Sequence, residues 1–329
     1  MMPLYPWLQP YYQKIIHPFL QQKGHHALLI KSEPGIGIEQ LCQAVINWLM
    51  CQTPQNDIPC EQCHSCQLHQ ANNHPDVYKL VSIDDKEIGV DQIRQLIEKV
   101  NQHAQQSGNK VVYIQSAERL TESAANALLK TLEEPRPQTY FILQNESSTP
   151  MLPTVHSRCQ TWHIGLPSTN QTIEWLQHQT NRETHEILTA LAMNLNRPLP
   201  TLQALQENLT EQRKNFLRQF WLYYRYYSPL ELLPSFDKER EKALVQSDWI
   251  LAFLQDALKH KLAIQQHWQS LDLTRGIIQF SEQQTIPKLL KALRIMQKVR
   301  SDLISINTVN QELILLEGLT RLITEVFEE

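Results

Sequence analysis

Glycine is scarce in this chain: 8 residues in 329, against an ordinary share of about 7%. Leucine, glutamine and alanine are plentiful instead, so the chain is expected to be mostly helical. Long hydrophobic runs are missing too. No stretch of about 18 apolar residues occurs, and no membrane-spanning helix is expected. The opening residues, MMPLYPWLQP, lack a basic segment leading into an apolar one, so no signal peptide is expected and the cytoplasm is the expected compartment. A strong excess of positive charge is also absent. Thirty Lys and Arg stand against 34 Asp and Glu, a formal net charge of −4. That balance argues against a strongly basic nucleic-acid binder, so any DNA contact must be local or shared with partners. In a reducing compartment the six cysteines are expected free or metal-bound rather than disulfide-bonded.

What is present points to two or three domains. At 42% hydrophobic residues the chain has the composition of a globular protein with large cores. Five short apolar runs alternate with helical stretches over residues 1–165: HALLI (26–30), VYKLV (77–81), VVYIQ (111–115), YFILQ (140–144) and CQTWHI (159–164). This alternation predicts a parallel α/β sheet with crossover helices. Residues 166–170 (LPSTN) read as a linker carrying a helix N-cap. Short helices are expected over 171–205, ending near Asn196-Arg197-Pro198, and everything from about 208 onward reads as helix. There Leu289, Leu290, Leu293, Met296 and Val299 recur at three- and four-residue spacing, as do Leu315, Leu316, Leu319, Leu322, Ile323 and Val326. Such stripes mark helices that bury one face, and a share of them is free to face other subunits.

Residues 26–41, HALLIKSEPGIGIEQL, have the strand, glycine turn and amphipathic helix of a phosphate-binding loop. The motif G-x-x-x-x-G-K-[ST] uses its lysine on the β/γ-phosphates and its hydroxyl on Mg²⁺. Gly35 and Gly37 are kept, but Ile38 stands in the lysine position, Glu39 in the Ser/Thr position, and Ser32 replaces the first glycine. An acid at the mouth of the loop repels a triphosphate. The frame is present and its chemistry is not.

Cys51, Cys60, Cys63 and Cys66 form C-x₈-C-x₂-C-x₂-C. Four thiolates over so short a span can close a tetrahedral zinc site, and four protein ligands leave no open position for water, so the site is expected to be structural. One of His64, His69 and His74 is an alternative ligand to Cys51. A set of reduced cysteines without metal is the plain alternative. Cys42 and Cys159 are expected to be ordinary residues.

A second nucleotide element fails in the same way. Val111-Val112-Tyr113-Ile114 is an apolar strand that would end in Asp-Glu, for Mg²⁺ and for polarising water, but Gln115 and Ser116 follow it. Ser123-Ala124-Ala125-Asn126-Ala127-Leu128-Leu129-Lys130-Thr131-Leu132-Glu133-Glu134-Pro135 comes next, and Ser157-Arg158-Cys159 later. With these motifs and the four-cysteine insert the chain resembles the clamp-loader branch of the AAA+ superfamily. With both nucleotide motifs lost, it resembles the delta-prime subunits of bacterial DNA polymerase III within that branch. The resemblance is strong over 20–165 and continues collinearly, for example through Trp249, Phe253, Leu254, Asp256, Leu258 and Lys259. The second sensor arginine of the family, placed near 196–200, is out of register, Arg197 being the nearest.

The resemblance implies an AAA+ α/β domain over 1–165 with a zinc module at about 51–66, a helical lid over 166–207 and a helical collar over 208–329. It implies no bound ATP and no intrinsic ATPase, but membership of a DNA-directed DNA polymerase holoenzyme at the bacterial replication fork. Arg158 would be an arginine finger acting on a neighbour's ATP, because arginine is always charged and presents a planar fork of donors. The implied partners are the delta and gamma/tau subunits, the sliding clamp and primer-template DNA, and no membrane. Lys130 is a candidate for a solvated or DNA-facing position. Two other readings are weighed against this one: an active ATPase of gamma/tau type, which would keep Gly-Lys-[ST] and Asp-Glu, and a zinc-dependent DNA-binding scaffold, which the negative charge disfavours.

Overall fold

A computed structural model describes residues 4–82, 86–106, 108–306 and 310–328. The five apolar runs become five strands: β1 (Ala27–Ser32), β2 (Val77–Leu80), β3 (Lys110–Ile114), β4 (Thr139–Glu146) and β5 (Gln160–Ile164). They make one sheet in the order β2-β3-β4-β1-β5, with every neighbouring pair parallel. Parallel strands need helical crossovers, and helices on both faces bury the strands on both sides. That is why the inner strands β1, β3 and β4 read as nearly continuous apolar runs, while the edge strands β2 and β5 are only partly buried. Ala27, Leu28, Leu29 and Ile30 are all essentially inaccessible.

The crossovers are α2 (Ile38–Met50) and α3 (His64–Gln70) after β1, α4 (Val90–Val100) after β2, α5 (Glu122–Glu133) after β3, and the single turn α6 (Pro153–His156) after β4; α1 (Gln9–Leu20) precedes β1. Ile93, Leu96 and Val100 of α4 pack with Ala124, Ala125, Leu128 and Leu132 of α5 on one side of the sheet, against Leu29, Val112, Ile114 and Leu143. Helix α2 meets β3, and α1 lies on α2. The Ala-Ala-Asn-Ala-Leu-Leu stretch is thus a core helix, begun by Thr121, whose Oγ1 accepts the N–H of Ala124 at 3.2 Å. Lys130 is on its exposed side.

The chain divides into two compact units, residues 1–171 and 172–329. At the start of the helical part, Ser168 caps α7 (Thr169–Gln179) by accepting from the N–H of Gln171 at 3.3 Å. Helix α8 (Thr184–Met193) ends close to the expected place. The short helices do not stop there, however: α9 (Pro198–Gln206) follows, with Pro198 at its first position, where its missing N–H costs nothing. Leu176, Ile187, Ala190, Leu191 and Leu205 form a small core of their own.

Helices α10 (Leu209–Tyr226), α11 (Pro229–Leu232), α12 (Arg240–Lys261), α13 (Thr274–Glu282), α14 (Ile286–Ser305) and α15 (Gln311–Leu322) build a larger core. Its centre is aromatic: Phe220, Phe253, Phe280 and Tyr224 meet edge to face at centroid distances of 4.8–5.6 Å. The stripes of α14 and α15 are buried as expected except at Leu290 and Leu316, which are 42% and 36% exposed. The expectation of helix throughout is corrected at residues 262–270, which are irregular. This segment is held by buried Asp256, whose Oδ2 accepts the N–H groups of Gln269 and Ser270 at 2.9 and 2.8 Å. Buried Arg213 adds bonds to Ser270 Oγ at 2.9 Å and to Asp272.

Gly318 marks the closest approach in this bundle: a Cβ there would lie 2.1 Å from Val299 Cγ2 of α14. Valine is stiff at χ1, so neither helix can yield cheaply. Gly318→Ala is expected to destabilise the helical unit by about 1–3 kcal/mol through overpacking. Denaturant unfolding followed by tryptophan fluorescence measures it, and an unchanged midpoint would contradict the packing described.

Candidate functional site

Ligands of open α/β sheets bind beyond the carboxyl ends of the strands, where the winding reverses. In this sheet that place lies beyond β1, β3 and β4, and a cleft of about 140 Å³ opens there. Gly35 and Gly37, with φ of 81° and 78°, turn the chain from β1 into α2. Gly37 caps α2 in the left-handed conformation, and the Tyr5 ring lies where its Cβ would be, 2.2 Å away. Trp7 stacks on Tyr5 and donates Nε1–H to the Ile36 carbonyl at 2.9 Å. The glycine turn is therefore pinned from behind by two aromatic rings.

Ile38 is buried and offers no cation. Glu39 sits in the first turn of α2, where the helix dipole favours an anion. Gln144 Nε2, at the end of β4, donates to Glu39 Oε1 at 3.0 Å, and Tyr113 OH donates to Gln144 Oε1. Burial, then the neighbouring Cys42 and Glu39, push the Tyr113 hydroxyl far above its ordinary pKa, so it stays a donor. Gln115 and Ser116 line the cleft, with Ser116 at φ 60°. Two further acids line it that the motifs did not reveal, Glu118 and Glu146, and no lysine or arginine does among the described residues. The place of phosphate is lined by carboxylates.

The four cysteines of the insert come together: their Sγ atoms all lie within 4.8 Å of one another. Sulfurs about 2.3 Å from a tetrahedral zinc lie about 3.8 Å apart, so the cluster needs only a small contraction. Cys51 follows the last turn of α2, and Cys63 caps α3. The N–H groups of Cys60, Cys63 and Cys66 point at the sulfurs of Cys51, Cys60 and Cys63, at 3.2, 3.4 and 3.4 Å. Such donors favour thiolates. Bonds from Thr53, Gln62 and Cys63 bring Cys60 down to about 6. Burial, then the neighbouring sulfurs, raises Cys66. A cation would supply the missing counter-charge for all four, and the donor set fits a soft, thiolate-binding metal ion.

Of the alternative ligands, His74 is buried and engaged elsewhere. Its Nδ1 accepts the N–H of Asp76 at 3.1 Å, and its Nε2 meets Ser65 Oγ at 2.7 Å. Burial lowers His69 to about 4. The loop between Cys51 and Cys60 is also anchored in a way that spacing could not reveal. Trp48 Nε1 donates to the Asn56 carbonyl at 2.8 Å and Tyr12 OH to that of Asp57 at 2.6 Å.

Arg158 lies just before β5, at the amino end of the sheet, and so on the opposite edge from the cleft. A five-residue strand spans about 17 Å, beyond the reach of an arginine side chain. Arg158 is paired within its own chain: Nε donates to Glu133 Oε1 at 2.6 Å, Nη2 to the same oxygen, and Nη1 to the Thr154 carbonyl at 2.8 Å. In the sequence Glu133 is marked only as part of the Ser123–Pro135 run. Cys42 and Cys159 take no part in the metal cluster.

Two family models match the chain: "DNA polymerase III, delta subunit" over residues 8–167 and "DNA polymerase III, delta subunit, C terminal" over 207–324. The DNA polymerase III subunit delta' of Haemophilus influenzae is 61% identical over 325 residues, covering 99% of this chain and 98% of that protein. Those of Yersinia pestis and Escherichia coli K12 are 37% and 33% identical, covering 96% and 97% of this chain and 94% and 95% of theirs. The parallel five-stranded sheet with its glycine turn is of the AAA+ type, and the helical part follows it as in the two matched models. Matched from end to end at this level of identity, the chain belongs to the family of DNA polymerase III delta-prime subunits.

Proposed function

We propose that this chain is a clamp-loader subunit that does not hydrolyse ATP and that lends Arg158 to the ATP site of an adjacent gamma/tau-type subunit. The carrying observation is the opposition of two features across one sheet. The chain's own cleft has buried Ile38 and three carboxylates where a triphosphate needs cations. Arg158, the arginine of the Ser-Arg-Cys motif, lies on the other edge, out of reach of that cleft but partly exposed. An arginine so placed serves a neighbour. Its guanidinium offsets charge that develops on the transferred phosphoryl group, in the manner of an arginine finger.

The remaining parts follow from this. The four cysteines would hold a structural zinc ion that ties the segment after α2 to α3. The helices α7–α9 would be a lid over 166–207, in keeping with the interval between the two family matches. Helices α10–α15 would be a collar over 208–329, joined to the delta and gamma/tau subunits through apolar side chains left exposed, such as Leu290, Leu313 and Leu316. With those partners the subunit would support opening of the sliding clamp and its placement on primer-template DNA, as a rigid member against which ATP-bound neighbours move.

Arg158→Ala is expected to leave assembly intact and to lower ATP turnover at the site it serves by about 10³–10⁵. Steady-state ATPase of the reconstituted complex checks this, and unchanged turnover sinks the proposal. The purified chain is expected not to bind an ATP analogue. Ile38→Lys with Glu39→Thr should gain affinity of about 10- to 100-fold, from charge-assisted bonds to phosphate. Wild-type binding as tight as the variant's would favour an active ATPase. Elemental analysis of reduced, chelator-free protein should find about one zinc per chain, lost in Cys60→Ser. Less than about half an equivalent contradicts the zinc assignment.

A further inference from the structure

Arg158 is held more closely than a surface arginine usually is. An arginine has five N–H donors. Nε and one Nη2 donor go to Glu133 Oε1, and the two Nη1 donors go to the Thr154 carbonyl at 2.8 Å and Ser157 Oγ at 3.3 Å. Among the described residues, one Nη2 donor has no partner. The plane of the guanidinium is thus set from three directions, with a single N–H uncommitted on a side chain that is 30% exposed.

The backbone that carries the acceptor is held in place, while the Glu133 side chain itself is 46% exposed. Glu133 is the last residue of α5, which Ala124, Ala125, Leu128 and Leu132 press into the core. Pro135 ends the helix there, because the residue before a proline leaves helical geometry; Glu134 is at φ −125°, ψ 72°. Thr154 and Ser157 belong to the α6 turn, whose Val155 is wholly buried. Two elements anchored in the same core therefore grip one flexible side chain. A half-exposed ion pair of this kind contributes little to stability, and its effect is orientation.

We propose that Glu133 is the positioning residue for Arg158: it presents the guanidinium with one N–H directed at a neighbour's phosphate. This rests on the role of Arg158 in trans. A free arginine samples many rotamers, and misplacement by about 1 Å costs about 10²-fold where geometry decides the rate. The carboxylate also offsets part of the guanidinium charge, so a brake and a positioner predict opposite signs.

The test is ATP turnover by the fully reconstituted complex. Glu133→Ala should lower kcat by about 10- to 100-fold, with KM for ATP, assembly and metal content unchanged. Glu133→Gln, which keeps an acceptor oxygen, should recover most of it. Glu133→Ala with Arg158→Ala should be no slower than Arg158→Ala alone, since both act through one group. Turnover of Glu133→Ala at or above wild type overturns the inference, as does a double variant slower than Arg158→Ala. If Arg158→Ala has full turnover, the trans role fails and this inference with it. A second measurement isolates the positioning: ¹⁵N relaxation of the Arg158 Nε–H in the free chain should show order in the wild type and its loss in Glu133→Ala. Equal order in both refutes the positioning while leaving the trans role standing.

Discussion

The pairing of β1 with both β4 and β5 is the constraint on which the first unit depends. Leu29 lies between Leu143 and Thr161, and Ser32 between Glu146 and Ile164. With β1 locked in the interior of a parallel sheet, the chain must leave its carboxyl end through a tight turn and return along a helix. Gly35 and Gly37 make that turn. Helix α2, about 20 Å long at 1.5 Å per residue, carries the chain back towards the amino ends, where Trp48 meets Phe19, and Phe19 meets Tyr140 at the start of β4. Cys51 follows directly. The same lock places Arg158 at the amino end of β5. Cleft, cysteine cluster and arginine are all positioned by one set of backbone hydrogen bonds.

Within that frame the cleft has been rebuilt rather than emptied. A carboxylate in the first turn of a helix is electrostatically favourable, and Gln144 and Tyr113 give it a hydrogen-bonded support. The turn beneath is held by Tyr5 and Trp7 instead of by a ligand's phosphates. These contacts stabilise the turn from within the chain, in keeping with the rigid role proposed above.

Much of this was legible from local pattern. The three inner strands were visible because doubly buried parallel strands are nearly continuous apolar runs, and the two partly buried edge strands through shorter apolar stretches in the same alternation with helices. The cysteine quartet was visible because its spacing is short, and the replaced lysine, hydroxyl and acid-pair positions because single residues at known offsets define those motifs. The irregular stretch at 262–270 was missed for the opposite reason. Its order comes from Asp256 and Arg213, which lie in helices and carry no local mark of their distant partners. The helix from Pro198 lies within the expected helical range 171–205, but the proline marks its beginning rather than an end.

Periodicity and spacing thus determined which segments are strands, which helices bury a face, which four sulfurs can share an ion, and which catalytic groups are absent. All of these depend on neighbours within a few residues. The folded chain alone decided that Glu118 and Glu146 join Glu39 in one cleft, that Tyr12 and Trp48 anchor the loop between the cysteines, and that Glu133 grips Arg158 across 25 residues of chain. Those choices follow from strand order and helix packing, and no local stretch of residues contains them.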